Sequence, residues 1–216
     1  MKRLPACALS AAARVLTLTL TIGCVVLSGG LLGGLAGCDR PSSKVSFSAT
    51  DLTGADYGKS LSLTDQSGQP RTLADFKGKV VVLFFGFTQC PDVCPTMLST
   101  MAAVTKELGT DAARLQVVFV TLDPERDSAA LLGANVNAFN PTFIALRGDA
   151  GATTRAAREF KVFFQKVPGK TPGVYTVDHT AASYALDDQG RLRLYIRSTQ
   201  TVPEITADLR LLLAGR

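Results

Sequence analysis

The sequence is poor in the residue types that most often build metal sites and disulfide frameworks: it has one histidine and five cysteines in 216 residues. A site that needs two imidazole ligands is therefore excluded. The chain also lacks internal repeats and low-complexity blocks, which excludes repeat arrays and compositionally biased segments. Any metal or redox chemistry of this chain thus depends on a few single residues.

The N-terminus has the pattern of an export signal. Basic residues precede a long apolar segment, residues 15–37, which ends in small residues. This segment is also long enough to span a bilayer, so an uncleaved anchor is the alternative. Leu35-Ala36-Gly37-Cys38 favours cleavage, because it is similar to a bacterial lipobox, in which Cys38 is freed to carry lipid. The predicted organisation is a lipoprotein signal peptide over residues 1–37, a linker over 38–46 and one domain over 47–216.

Removal of residues 1–37 simplifies both the charge and the cysteine content. This segment holds three basic residues and no acidic ones, so the net charge falls from +5 to about +2. The remaining length suits one domain with a sizeable core, and no basic patch indicates a nucleic-acid partner. Cys7 and Cys24 leave with the signal and Cys38 carries lipid. Cys90 and Cys94 then remain as thiols in an oxidising compartment.

Cys90 and Cys94 follow an apolar run of strand length. Residues 80–85 are β-branched, leucine or phenylalanine, which predicts a strand buried on both faces. Open α/β sheets place their chemistry just beyond the carboxyl end of such a strand. Since a proline follows each cysteine, we predict a tight turn or a frayed first helical turn over residues 91–94 and a firm helix from about Pro95 through Glu107. Outside a regular helix, the two thiols can close as a disulfide or open around a metal.

The other elements follow in a recognisable order. We predict a hairpin over residues 61–73, strands over 115–122 and 142–146, a helix with Asp127 as its N-cap that runs through Phe139, a helix over 152–160, a short strand over 163–167, a hairpin over 182–196 and a closing helix over 202–213. This is the order of a thioredoxin-like domain: a strand, a cysteine motif and a helix come first, followed by a βαβ unit, a hairpin and a last helix. The predicted fold class is α/β, with a central mixed sheet flanked by helices.

His179 is the third candidate for the site. Taken alone, a single histidine is usually a packed or surface residue. Two thiolates and one imidazole, however, form a three-coordinate donor set that suits copper, whereas zinc needs a fourth ligand. Asp92 or Asp123 can supply that ligand, so zinc stays open. Each aspartate can instead lie beside the ligands and tune the site, or have an ordinary role, Asp92 in a turn and Asp123 at the end of a strand.

Two further sets of residues have simpler interpretations. A Cys90–Cys94 disulfide with a purely structural role is an alternative to a reactive pair, but closing so short a loop stabilises a fold little. Met97 and Met101, spaced i and i+4, are expected in the core of the helix rather than at a metal.

Three segments of the sequence resemble the SCO/SenC family: residues 86–95 (GFTQCPDVCP), 121–127 (TLDPERD) and 177–180 (VDHT). Members of this family are membrane-tethered, thioredoxin-like copper proteins implicated in assembling the binuclear CuA centre of cytochrome c oxidase. The resemblance implies that Cys90, Cys94 and His179 are the copper ligands and that Asp123 is an acidic residue near the site. It also implies an acceptor, subunit II of the oxidase, and a separate copper donor protein.

We therefore expect a copper metallochaperone that binds Cu(I), Cu(II) or both. Asp39 resembles the residue that keeps lipoproteins in the inner membrane of Gram-negative bacteria, which predicts lipid anchoring on its periplasmic face. One alternative is a thiol-disulfide oxidoreductase, in which Cys90 and Cys94 reduce the cysteines of the CuA site or of another exported protein. A second is a sensor based on thiolate oxidation. His179 distinguishes the metallochaperone from the oxidoreductase, since a reductase can work without it.

Overall fold

The structure of the protein, a computed structural model, describes residues 46–216. The predicted signal peptide, Cys38 and the linker up to residue 45 lie outside the described residues. Within the described range, no helix has the length and apolar character needed to cross a membrane. The strands of this range are β1 (Thr50–Asp51), β2 (Ser62–Asp65), β3 (Pro70–Thr72), β4 (Val80–Gly86), β5 (Leu115–Thr121), β6 (Ile144–Arg147), β7 (Phe164–Pro168), β8 (Tyr175–His179), β9 (Ala182–Leu186) and β10 (Leu192–Arg197). Its α-helices are α1 (Val93–Leu108), α2 (Ala129–Phe139), α3 (Ala150–Glu159) and α4 (Val202–Leu213).

The strands of residues 46–216 form two sheets. Eight of them lie in one mixed sheet in the order β1-β10-β9-β4-β5-β6-β2-β3, while β7 and β8 form a separate antiparallel pair. Strands β4, β5 and β6 run parallel, and β9 pairs antiparallel with β4 on its other side. The predicted α/β class with a central mixed sheet and thioredoxin-like order is confirmed.

Strand β4 lies at the centre of the core. All seven of its residues are buried. Because successive side chains of a strand point to opposite faces, alternate residues from Val80 to Phe84 pack with α1 and α4, while those from Val81 to Phe85 pack with α3. The prediction of a strand buried on both faces is confirmed, and the end of β4 is held rigidly by packing on two sides.

The structure differs from the sequence prediction at two elements near the cysteines and the histidine. Helix α1 begins at Val93, two residues before the firm helix predicted from Pro95, so Cys94 lies in its first turn. Of the two conformations predicted for residues 91–94, the helical turn is therefore the one found at Cys94, where the proline that follows needs no backbone hydrogen bond. Strand β8 was not predicted, although residues 175–179 alternate between apolar and polar side chains. Met97 and Met101 are buried in the core, as predicted.

Candidate metal centre

Cys90 lies in the loop between β4 and α1 and is half-buried. The backbone N–H of Cys94 donates a hydrogen bond to its Sγ, with 3.4 Å between the two atoms. The thiol of Cys94 donates a second hydrogen bond to Cys90, and the backbone N–H of Asp92 donates a third. Burial alone would raise the pKa of Cys90, but these hydrogen bonds, that of the Cys94 thiol above all, outweigh it and lower the pKa to about 5. Cys90 is therefore a thiolate at neutral pH, the form that binds metals and attacks disulfides.

Cys94 has the opposite character. Its side chain is 2% exposed and packs in the core beneath the first turn of α1. The hydrogen bond to Cys90, followed by burial, raises the pKa of Cys94 above its ordinary value. Gly86 makes this position possible, because a Cβ atom on Gly86 would lie only 2.7 Å from the Sγ of Cys94. A glycine at the end of β4 thus lets the buried sulfur approach the strand.

His179 is the last residue of β8 and comes to the cysteines from a different part of the chain. Its Nδ1 lies 3.0 Å from the carbonyl oxygen of Thr180, which can only accept, so Nδ1 carries the proton and donates. The lone pair then lies on Nε2, which is within hydrogen-bond distance of the Sγ of Cys94, at 3.7 Å. The edge-to-face contact with the ring of Phe87, at 6.0 Å between centroids, also orients the imidazole. An imidazole held in this tautomer is prepared to bind a metal through Nε2.

The structure brings the three candidate ligands together. The two sulfurs and a ring nitrogen of His179 lie within 4.8 Å of one another, and within residues 46–216 no other cluster of three or more such ligand atoms is found. Cys90 and His179 line a groove of about 240 Å³ that opens to the surface. A larger cavity of about 650 Å³, between residues 56–62 and α3, contains none of the three. The described chain therefore has one candidate metal site, and it is accessible from outside.

The two aspartates proposed to tune the site lie in different surroundings. Asp92 is exposed before α1 and accepts a hydrogen bond from the Thr96 hydroxyl at 3.4 Å; it contributes to the site through its backbone N–H. Asp123 is fully buried, forms an ion pair with Arg126 and accepts a hydrogen bond from the Tyr175 hydroxyl at 2.9 Å. Neither carboxylate belongs to the cluster of ligand atoms, so a zinc site completed by one of them is not favoured.

Asp127 has a role that differs from the predicted one. The N-cap of α2 is Ser128, whose Oγ accepts from the backbone N–H of Leu131, so the prediction of Asp127 as the cap was wrong. Asp127 is instead 1% exposed and accepts hydrogen bonds from Thr88 and Thr121. A serine directly before the helical residues was the available signal, because serine caps helices as well as aspartate does.

The chain matches proteins of one family over most of its length. A family model described as SCO1/SenC matches residues 49–214. "Protein SCO2 homolog, mitochondrial" of Mus musculus is 36% identical over 152 residues, which are 69% of this chain and 60% of the relative. The chain thus matches about three fifths of the length of this mitochondrial relative.

Two solved structures are similar to this one. "Structure of Bradyrhizobium japonicum ScoI with copper bound" is 38% identical, with a TM-score of 0.67, and the match covers 72% of this chain and 99% of that one. "The crystal structure of a SCO1/SenC family lipoprotein from Bacillus anthracis str. Ames" is 26% identical, with a TM-score of 0.65, and the match covers 77% of this chain and 99% of that one. With the family model matching nearly all of the described residues, this chain belongs to the SCO1/SenC family.

Proposed function

We propose that this protein is a membrane-tethered copper metallochaperone that holds copper through Cys90, Cys94 and His179 and delivers it to the CuA centre in subunit II of cytochrome c oxidase. The observation that carries the proposal is the convergence of two sulfurs and one imidazole nitrogen within 4.8 Å. The copper-bound structure of the Bradyrhizobium relative supports it. The oxidase as acceptor, and a separate copper donor protein, follow from the family resemblance.

The donor set suits copper better than other metals. Thiolates are soft ligands that select Cu(I), and an imidazole binds both Cu(I) and Cu(II). The Cys90 thiolate needs no deprotonation at neutral pH, since its pKa is about 5. Metal binding would displace the remaining proton from Cys94. Both oxidation states are therefore part of the proposal, with His179 mattering more for Cu(II).

The unequal exposure of the ligands supports transfer by ligand exchange. Cys90 is half-buried beside the open groove, while Cys94 is 2% exposed. An incoming thiolate of the acceptor can therefore reach the copper on the side of Cys90. We propose that Cys90 is replaced first and that Cys94 releases the metal last.

The tether completes the proposal. Residues 1–37 act as a lipoprotein signal peptide, Cys38 carries the lipid and residues 38–46 link it to the domain, which faces the periplasm from the inner membrane. Support comes from the lipobox-like sequence that ends at Cys38 and from the Bacillus anthracis relative, which is described as a lipoprotein.

A second candidate function is thiol-disulfide exchange, with Cys90 and Cys94 as the redox pair. The lowered pKa of Cys90 favours it, because an accessible thiolate beside a buried thiol is typical of dithiol oxidoreductases. Such an enzyme would reduce the CuA-site cysteines or those of another exported protein. His179 is not required for that reaction, so a variant without it separates the two functions.

The test is anaerobic copper titration of the reduced full chain. The Cys90→Ala/Cys94→Ala double variant serves as the blank, since it retains any copper bound by other cysteines. Wild type should bind one copper more than this blank. His179→Ala should weaken Cu(I) modestly, because two thiolates can hold it linearly, but should lose stable Cu(II), which prefers nitrogen and oxygen donors. Equal Cu(II) affinity in His179→Ala and wild type would falsify the proposed ligand set.

A further inference from the structure

One guanidinium group contacts both segments that carry the candidate ligands. Nη1 of Arg126 donates to the side-chain oxygen of Gln89, at 3.1 Å, and to the backbone carbonyl of Tyr175, at 2.8 Å. Gln89 directly precedes Cys90, and Tyr175 begins the strand that ends at His179. Arg126 therefore joins the Cys90 loop, between β4 and α1, to the His179 hairpin, formed by β7 and β8. The segment that carries Arg126 supplies no ligand itself.

The guanidinium itself is held on several sides. Its Nε forms an ion pair with the fully buried Asp123, whose other carboxylate oxygen accepts from the Tyr175 hydroxyl. Its Cζ atom lies 3.7 Å from the ring centroid of Tyr175 and 5.8 Å from that of Phe87. Phe87 in turn contacts the ring of His179. Since charge, hydrogen bonds and stacking all act on one planar group, Arg126 has little freedom to move.

The hairpin that carries His179 needs such an attachment. Strands β7 and β8 pair with each other, and in the described residues neither joins the eight-stranded sheet. Tyr175 and His179 are four residues apart on one strand and point to the same face, so fixing Tyr175 also fixes the direction of His179. A second ion pair, Lys166 with Glu125, links the hairpin to the loop that carries Arg126. Both side chains are exposed, so this ion pair contributes little.

We propose that Arg126 is a positioning residue of the copper centre, which holds the His179 hairpin against the Cys90 loop and so sets the geometry of the third ligand. This inference rests on the proposed function. Its consequence differs between oxidation states: two thiolates suffice for Cu(I), whereas Cu(II) depends on a well-placed nitrogen. Loss of Arg126 should therefore act mainly on Cu(II).

The test compares Arg126→Met with wild type, both as the full chain. Cu(II) affinity should fall about 10- to 100-fold, the range found when partners that orient metal ligands are removed, while Cu(I) affinity changes less than about threefold. The electron paramagnetic resonance spectrum of the Cu(II) form should lose intensity and shift away from that of wild type. Arg71→Met is the matched control, because it also removes an ion pair to a buried aspartate, Asp65, but on β2 and β3 at the far edge of the sheet. This control should keep the wild-type Cu(II) spectrum.

Arg126→Lys separates positioning from mere stability. Lysine keeps the positive charge beside Asp123 but lacks the planar fork that reaches Gln89 and Tyr175 together. We expect it to restore most of the unfolding midpoint and little of the Cu(II) spectrum. A lowered midpoint of Arg126→Met with an unchanged Cu(II) spectrum and affinity would overturn the proposal. If Arg126→Met does not fold, two milder variants each remove one contact of Arg126: Gln89→Ala removes its hydrogen bond to the residue before Cys90, and Tyr175→Leu removes the ring stacked on its guanidinium. Wild-type Cu(II) affinity in both would overturn the proposal equally.

A metal-free measurement separates this proposal from the proposed function. Amide hydrogen exchange in β8 should be faster in apo Arg126→Met than in apo wild type, while exchange in β4 stays unchanged. If wild type binds no copper beyond the Cys90→Ala/Cys94→Ala blank, the metallochaperone function fails, yet faster exchange in β8 would still support positioning by Arg126. Unchanged exchange in β8 would contradict it.

Discussion

Asp127 accepts hydrogen bonds from two donors of Thr88 just beyond the end of β4. The Thr88 hydroxyl donates to Oδ1 of Asp127 at 2.5 Å, and its backbone N–H donates to Oδ2 at 3.1 Å. Thr121, the last residue of β5, also donates to Oδ2, at 2.6 Å. Because Asp127 is 1% exposed, water cannot replace these bonds. The carboxylate thus ties the loop that leads to Cys90 to the end of the neighbouring strand.

Replacement of Asp127 by alanine should lower both stability and copper affinity. It leaves three donors, two on Thr88 and one on Thr121, without their acceptor in a buried site. Since each unsatisfied buried group costs about 1–3 kcal/mol and some relaxation follows, we expect a loss of about 2–4 kcal/mol in the free energy of unfolding. Urea denaturation measures this loss of stability. Copper titration measures the change in copper affinity that follows when the loop before Cys90 is less ordered.

Asp208→Ala provides the matched control for this variant. Asp208 is also buried and accepts from the backbone N–H groups of Ser48 and Ala49, before β1. A comparable loss of stability is expected there, without a change in copper affinity. Wild-type copper affinity in a folded Asp127→Ala would mean that the carboxylate does not order the cysteine loop.

Gly86→Ala should disturb the buried sulfur. The added Cβ would lie 2.7 Å from the Sγ of Cys94 and 3.0 Å from the ring of Phe119, and both neighbours are buried. Overpacking of this kind costs about 1–3 kcal/mol, and relief requires the Cys94 sulfur to move away from β4. We therefore expect weaker copper binding together with a lower unfolding midpoint in urea.

A second glycine tests whether the effect is specific. Gly133 lies within α2, and a Cβ there would meet only the side chain of Gln66, at 3.3 Å or more. Since alanine is favoured over glycine in a helix by up to about 1 kcal/mol, Gly133→Ala should leave stability within about 1 kcal/mol of wild type. Copper affinity should not change in it. An equal loss of affinity in both variants would rule out the close contact as the cause.

Local patterns in the sequence were sufficient for most of the fold. The bounds of α4 agree with the prediction at both ends, and β9 and β10 form the hairpin predicted over residues 182–196. Residues 187–190 form a polar turn after β9, and Thr201 with Glu204 forms a capping box at the start of α4. The buried run of β4 was equally clear. These signals lie within a few residues of the element they define, so a single sequence contains them.

The arrangement around the site could be predicted only in part. The motif resemblance named the three candidate ligands, but the contacts that support them join residues far apart in sequence. Thr88 and Asp127 are separated by 39 positions, and Asp123 and Tyr175 by 52. No local pattern indicates that Arg126 bonds to both Gln89 and Tyr175, because that contact exists only once two loops and a hairpin have packed together. The roles of Asp127 and Arg126 therefore required the structure.

The proposed lipid anchor leads to a prediction about processing, drawn from residues that precede the described range. The mature N-terminus should be Cys38 carrying a diacylglycerol group, because Leu35-Ala36-Gly37-Cys38 is similar to a lipobox. Cys38→Ala should leave an unprocessed precursor that stays in the membrane through its apolar segment. Intact-mass spectrometry of the purified chain distinguishes the two forms. A soluble mature protein without lipid would contradict the anchoring proposal.

The asymmetry of the two thiols predicts how reactivity depends on pH. The hydrogen bond from Cys94, with those from two backbone N–H groups, lowers the pKa of Cys90 from its ordinary value of 9.0 to about 5. Without metal, alkylation of Cys90 by iodoacetamide should therefore reach half its maximal rate near pH 5, as followed by peptide mass mapping. Cys94→Ala removes the first of these donors, so its midpoint should move toward 9. Equal midpoints in Cys94→Ala and wild type would contradict the assigned hydrogen bond.

The lowered pKa of Cys90 also predicts that the protein becomes more stable as the pH rises from about 5 to 9. Between about pH 5 and pH 9, Cys90 is a thiolate in the folded state and a thiol in the unfolded state, so unfolding takes up a proton. The contribution of Cys90 is thus complete above pH 9 and is lost as the pH falls through 5. Cys94 acts in the opposite sense, because its pKa is raised: its contribution is lost as the pH rises above 9. The difference in unfolding free energy between wild type and Cys90→Ala should therefore grow from pH 5 to pH 8, and a difference that shrinks over this range would show that Cys90 is not the thiolate.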